Sequence, residues 1–159
     1  MLSIERIVVP IDFSAPSLEA LDTAVEFSRP YEAEIIVMFA IEPAGSPILE
    51  AGSEDVLGQE ATTAEEKLEE VCQSLGKQGI ACRTRIEIGP AAEAIIRAAA
   101  TLKADLIVMS THGRTGLAHV LIGSVAENVV RHARCPILLI RSFADEERLE
   151  AEKKSTTKG

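Results

Sequence analysis

The chain is predicted to fold as an open, doubly wound α/β domain, with a parallel sheet carrying helices on both faces. Short β-branched runs alternate with longer helical patterns, in the order β-α-β-α-β-α-β-α-β. Four of the five strand candidates are near-continuously apolar, as expected of strands buried on both faces of a parallel sheet. The 159 residues fit a single domain with a real core. Hydrophobic residues make up 47% against 3% aromatics and no Trp, so that core must be built from Val, Ile, Leu and Ala.

The first strand candidate is Arg6–Pro10 (RIVVP). Leu18, Leu21 and Val25 then fall at helical spacing, with Pro16 suited to a first turn. Residues 34–40 (EIIVMFA) read as the second strand. Residues 45–58 hold three glycines without clear periodicity and read as a mobile loop. From 55 to 77, Ala61, Ala64, Leu68, Val71 and Leu75 share one helical face. Residues 81–88 (ACRTRIEI) alternate polar with apolar, as an edge strand does. Residues 91–102 (AAEAIIRAAATL) are rich in helix formers and follow Gly89 and Pro90. Residues 105–109 (DLIVM) form the fourth strand candidate. Residues 125–133 place Val125, Val129 and Ala133 on one helical face with Val130 beside them, and 136–141 (PILLIR) close the sheet. The body is expected to span 1–141, with 142–159 a charged, frayed tail.

The net charge is −9, and its placement matters. Residues 42–70 hold nine acids and one base, Lys67, while the body outside that block and the tail is balanced at eleven of each sign. That block reads as a solvated loop and helix face. A neutral body without a basic footprint, poor in aromatics, argues against nucleic-acid binding. Cys72, Cys82 and Cys135 form an odd, sparse set that does not read as a disulfide framework. The first apolar run is preceded by Glu and followed by Asp, with no small-residue cleavage site after it, so no leader is expected. No apolar run reaches about 18 residues, so no membrane contact is expected and the cytoplasm is the expected location.

In an open doubly wound sheet, ligands sit beyond the carboxyl ends of the strands where the strand order reverses. The segments leaving those ends are Pro10, Ile11, Asp12, Phe13 and Ser14 after the first strand and Ile41, Glu42 and Pro43 after the second. After the fourth come Ser110, Thr111, His112, Gly113, Arg114, Thr115 and Gly116. Three of the ten glycines lie between 113 and 123, and Gly123 and Ser124 stand at the start of a helix. Glycine lets backbone approach a ligand, and a helix N-terminus offers free N–H groups and partial positive charge. Residues 110–141 hold four arginines and one acid, Glu127. A phosphate fits that chemistry, although neither a Walker A loop nor a G-x-G-x-x-G fingerprint occurs.

These residues resemble a known family. The opening IVVPIDFS, the run STHGRTG, the GSVAENV that follows and the closing CPILLI look like the universal stress protein (UspA-type) domain, over residues 4–141. Its ATP-binding branch carries G-x2-G-x9-G-[ST]. Gly113, Gly123 and Ser124 match at that spacing, and Ser110 replaces the first Gly.

The resemblance implies a Rossmann-like, adenine nucleotide alpha hydrolase-like fold, with five parallel strands in the order 3-2-1-4-5. It implies that Asp12 meets the ribose hydroxyls or lies near a metal, and that the backbone at Val37, Met38 and Phe39 approaches adenine. Pro10, Ile11 and Met109 would line the same crevice. Ser110 and Gly113 would border ribose and phosphates, Gly123, Ser124 and Val125 would cradle the phosphates, and Arg114 would add a contact. Mg²⁺ would bridge phosphate oxygens. A homodimer through the last strand, between Ile137 and Arg141, is implied as well, with a protein partner of unknown identity. The expected function is an ATP-binding regulatory module for stress response, with little or slow hydrolysis.

Structural explanations stand beside these. Ser124 and Glu127 form S-x-x-E, a capping box. Asp12 fits the N-cap region of the first helix, although Ser14 is an equally good cap. His132 and Cys135 form H-x2-C, a spacing that matches no common zinc set. The alternative function is a nucleotide-free dimeric interaction module of the same fold, with Ser110 marking loss of the site. A true phosphohydrolase would need catalytic acids or bases that are not visible in the sequence.

Overall fold

The computed structural model describes residues 3–43, 53–113 and 122–142. Its strands are β1 (Arg6–Pro10), β2 (Glu34–Ile41), β3 (Cys82–Ile88), β4 (Leu106–Ser110) and β5 (Ile137–Ile140). The helices are α1 (Ala15–Ser28), α2 (Ser53–Lys77), α3 (Ala91–Thr101) and α4 (Ser124–His132), and a 3₁₀ turn at Arg29–Tyr31 follows α1. All strand pairs are parallel, in the order β3-β2-β1-β4-β5. The order expected from the resemblance is therefore the one found.

Alternation along the strands divides the core in two. Ile7, Val9, Ile35, Val37, Phe39, Ile41 and Val108 point toward α1 and α2, against Leu21, Val25, Ala64 and Leu68. Val8, Ile36, Met38, Ile107 and Met109 point the other way, onto Ile95 and Ala98 of α3 and Ala126 and Val129 of α4. The topology causes this. Right-handed crossovers leave α1 and α2 on one face while the chain steps outward from β1 to β3, and α3 and α4 on the other once it turns back from β3 toward β4 and β5. Each fully buried Val or Ile contributes about 1.5–3 kcal/mol. The edge strands contribute less to the core: all four residues of β5 are half-buried, and in β3 only Glu87 is buried, so the strand does not show the alternation expected of it.

Local signals explain the ends of elements. Ser14 caps α1 by accepting from the Ser17 N–H at 3.4 Å, and Pro16 lies in the first turn. Ser142, the last residue described, is buried and donates its hydroxyl to Glu19 Oε1 at 2.9 Å. Among the described residues no helix is long and apolar enough to cross a membrane.

Four expectations are corrected. Residues 53–58 belong to α2, not to the preceding loop, because Ser53–Lys77 runs as one helix through Gly58; positions 45–52 of that loop lie outside the described residues, as do 143–159 of the tail. Leu18 and Val130 fall outside the buried faces of their helices, whose inward positions are Leu21 and Val25 in α1 and Ala126 and Val129 in α4. Gly123, not Ser124, is the N-cap of α4, and Glu127 pairs with Arg131 at 2.7 Å rather than closing a capping box. Finally, Cys72 and Cys82 form a disulfide. Their separation of ten shows no pairing pattern in sequence, yet α2 turns back through Gly79 at φ 77° and brings the two Cα atoms to 5.1 Å.

Candidate functional site

The strand order reverses between β1 and β4, so the crevice at their carboxyl ends is where a ligand is expected. Two loops face each other there. In the first, Ile11 N–H still donates to Met38 O at 2.8 Å, and the chain then turns sharply at Phe13, whose φ is 62°. That turn folds Asp12 onto Ser14: Asp12 Oδ1 accepts from the Ser14 N–H at 3.0 Å and from the Ser14 hydroxyl. The Asp12 N–H reaches Ser17 Oγ at 3.3 Å. Ser14 is thus the cap of α1, and Asp12 is a separate carboxylate held against it.

In the second loop, Thr111 N–H donates to Ile140 O at 3.0 Å and carries β4 one residue further. The Ser110 hydroxyl turns into its own loop and donates to His112 O at 2.7 Å. Ser110 has no positive φ, so a serine fits where the family pattern has glycine. Gly123 N–H donates to Thr111 O at 2.7 Å, which docks the start of α4 against the end of β4. His112 lies beside it, with Nδ1 3.2 Å from Thr111 Oγ1.

The two glycines are demanded by close approach and not by backbone conformation. A β-carbon on Gly113 would stand 2.8 Å from Asp12 Oδ2, and one on Gly123 would stand 3.0 Å from Thr111 O. Asp12 and Gly113 are therefore brought together across the crevice, with the α4 N-terminus at Gly123, Ser124 and Val125 beside the same loop. The free N–H groups of that terminus suit an anion.

Arg114 and Gly116 lie outside the described residues. Val37, Met38 and Met109 have side chains in the core, and Ile11 is buried as well. In β2 the residues alternate in the neighbour they bond. Glu34 N–H goes to Glu5 O and Ile35 N–H to Ala81 O, so even-numbered positions face β1 and odd-numbered positions face β3. Met38 thus bonds β1, while Val37 and Phe39 face β3. β1 ends opposite Met38, which leaves Ala40 presenting its backbone toward the crevice. Ala40 was missed in the sequence because nothing local to it signals that its neighbour strand stops two residues earlier.

Other chemical groups behave structurally. Glu87, buried near the end of β3, receives Arg85 at 2.6 Å and Arg97 at 2.9 Å. Burial pushes its carboxyl up, but the hydrogen bonds and charges of both guanidinium groups outweigh that and hold it below the usual range. Glu42 Oε1 accepts from the Ala91 N–H at 2.9 Å, satisfying the start of α3 that Pro90 leaves uncapped. Burial pushes the Cys135 thiol up, and the Asp105 charge adds to it. His132 Nδ1 lies 2.9 Å from Asn128 O, within its own helix. Among the described residues no group of three His, Cys, Asp or Glu side chains could hold a metal ion.

Comparison with known proteins shows the family and the fold. A family model described as "Universal stress protein family" matches residues 3–141. Universal stress protein MJ0531 of Methanocaldococcus jannaschii is 34% identical over 144 residues, covering 86% of this chain and 82% of that protein. The structure of MJ0577 from the same organism superposes with a TM-score of 0.80 at 27% identity, covering 87% of this chain and 96% of that one. A universal stress protein solved in complex with cAMP superposes at 0.66 with 28% identity, covering 87% of this chain and 97% of its own.

Proposed function

The chain belongs to the universal stress protein family, and from that premise we propose that it binds an adenine nucleotide, ATP with Mg²⁺, in the crevice between the ends of β1 and β4. One observation carries the reading: Asp12 and the Cβ-free edge of Gly113 face each other there, beside a helix start capped by glycine. The neighbour solved with cAMP supports the choice of an adenine nucleotide.

In this reading Asp12 accepts hydrogen bonds from the ribose hydroxyls. The backbone of Ala40, together with Pro10 and Ile11 at the end of β1, flanks the base. Gly113, Gly123, Ser124 and Val125 surround the phosphates, with Ser110 bracing the loop through His112 O and Arg114 adding charge. Mg²⁺ supplies neutralisation of phosphate oxygens when bound. Among the described residues there is no three-ligand metal cage, and in this reading the ion is held chiefly through the nucleotide.

The bound nucleotide acts as a regulatory ligand, with slow turnover at most. No lysine occurs between positions 104 and 152 to serve as a phosphate-loop lysine. The half-buried edge strand β5 supports a homodimer through residues 137–141, which would pass the nucleotide state to a protein partner in the cytoplasm.

The reading is tested by denaturing purified protein, separating the supernatant by ion exchange with adenine detection, and then titrating the apo protein with ATP and Mg²⁺. At about 100 times Kd the melting temperature should rise by about 5–10 °C. Sedimentation at micromolar concentration should give a dimer. Protein that releases no nucleotide and shows no melting shift would instead be the nucleotide-free interaction module.

A further inference from the structure

We infer that Lys67, from the middle of α2, acts with Phe13 as a positioning pair for Asp12 and so tunes how tightly the crevice grips a ribose; this rests on the nucleotide reading of that crevice. Phe13 has φ 62°, a left-handed conformation that a bulky residue adopts only when its surroundings over-determine it. The conformation has a structural result. It doubles the chain back so that Asp12 Oδ1 bonds the Ser14 N–H and hydroxyl, while Oδ2 is directed at the backbone of Gly113.

The ring is what holds the turn. Its centroid lies 5.6 Å from that of Phe39 on β2, with the planes tilted by 33°. On α2, Lys67 Nζ stands 5.3 Å from the same centroid, within cation–π reach. The loop is thus pinned by two elements outside it. Lys67 is also the only base among residues 42–70, a block that reads as a solvated acidic face. Its ammonium lies over the ring of Phe13, the residue that follows Asp12.

The test is a double-mutant cycle with ATP and Mg²⁺ as titrant. Lys67→Met keeps an apolar stem and removes the charge on an exposed residue, so folding is not at stake. It should raise the Kd for ATP about two- to fivefold. Lys67→Arg should restore most of the loss. In an Asp12→Asn background, Lys67→Met should cost nothing further. Without nucleotide, the ¹³C resonance of the Asp12 carboxyl should shift in Lys67→Met and return in Lys67→Arg.

Unchanged affinity together with an unchanged Asp12 resonance overturns the positioning role, while wild-type binding leaves the nucleotide reading standing. Equal losses in both backgrounds overturn it as well, since Lys67 would then act without Asp12. Wild-type protein that binds no ATP overturns the nucleotide reading, and the Asp12 resonance alone then decides whether Lys67 positions that carboxylate.

Discussion

Asp12 and Gly113 stand so close across the crevice that the β-carbon Gly113 lacks would lie 2.8 Å from Asp12 Oδ2. Any larger residue at 113 must therefore displace the carboxylate or open the gap between the two loops. Gly113→Ala should weaken ATP binding by about tenfold or more, the scale of one charged hydrogen bond lost. Its melting temperature without nucleotide should stay close to that of the wild type, because 113 lies outside both cores. Calorimetric titration beside a thermal melt separates the two effects, and wild-type affinity in the variant would mean that Asp12 makes no contact with the ligand.

Gly123 tests the phosphate end. Its φ of −67° suits any residue, so a substitution there acts through space alone. A β-carbon would press on Thr111 O at 3.0 Å and lie 3.8 Å from the His112 ring. Gly123→Ala should need only a shift of a few tenths of an ångström, whereas the branched side chain of Gly123→Val should cover the helix start. The melting shift produced by ATP should survive in part in the first variant and vanish in the second. Full ATP stabilisation of Gly123→Val would place the phosphates elsewhere.

The frame was legible in the sequence because burial on both faces writes itself into composition. IVV, IIVMF and LIVM are apolar at successive positions, and the structure puts those residues in β1, β2 and β4. The 113–123 spacing was legible too, since glycine is the residue that close approach requires. What escaped was set by distant partners. The left-handed turn at Phe13 depends on Phe39 and Lys67, which are far away in sequence. The position of Ala40 beyond the end of β1 depends on where that strand stops, and the Cys72–Cys82 bond on a helix reversing into a strand.

Glu87 makes stability depend on pH at the β3 edge. Its carboxyl is held below the ordinary value of 4.5 by Arg85 and Arg97, so the folded form binds a proton less readily than the unfolded chain. The contribution is complete above that ordinary value and is lost as pH falls through the depressed one. Glu87→Gln should cost about 1–2 kcal/mol at pH 7, since both guanidinium partners remain partly solvated. Urea midpoints should converge for variant and wild type toward pH 3. A constant difference across that range would show that packing, and not charge, is what Glu87 supplies.

The Cys72–Cys82 bond ties the last turns of α2 to the first residue of β3, and its loop is short, with a sequence separation of ten. Closing such a loop restricts the unfolded chain and stabilises the fold by about 3 kcal/mol on the chain-entropy account. Cys72→Ser should lower stability by about that amount under oxidising conditions. The same substitution should have little effect in excess dithiothreitol, where the wild type loses the bond and drops to meet the variant. Because among the described strands β3 pairs only with β2 and lies at the sheet edge, the loss should appear first as faster hydrogen exchange at residues 82–88. Exchange there that is identical with and without reductant would mean the cross-link does not restrain this edge.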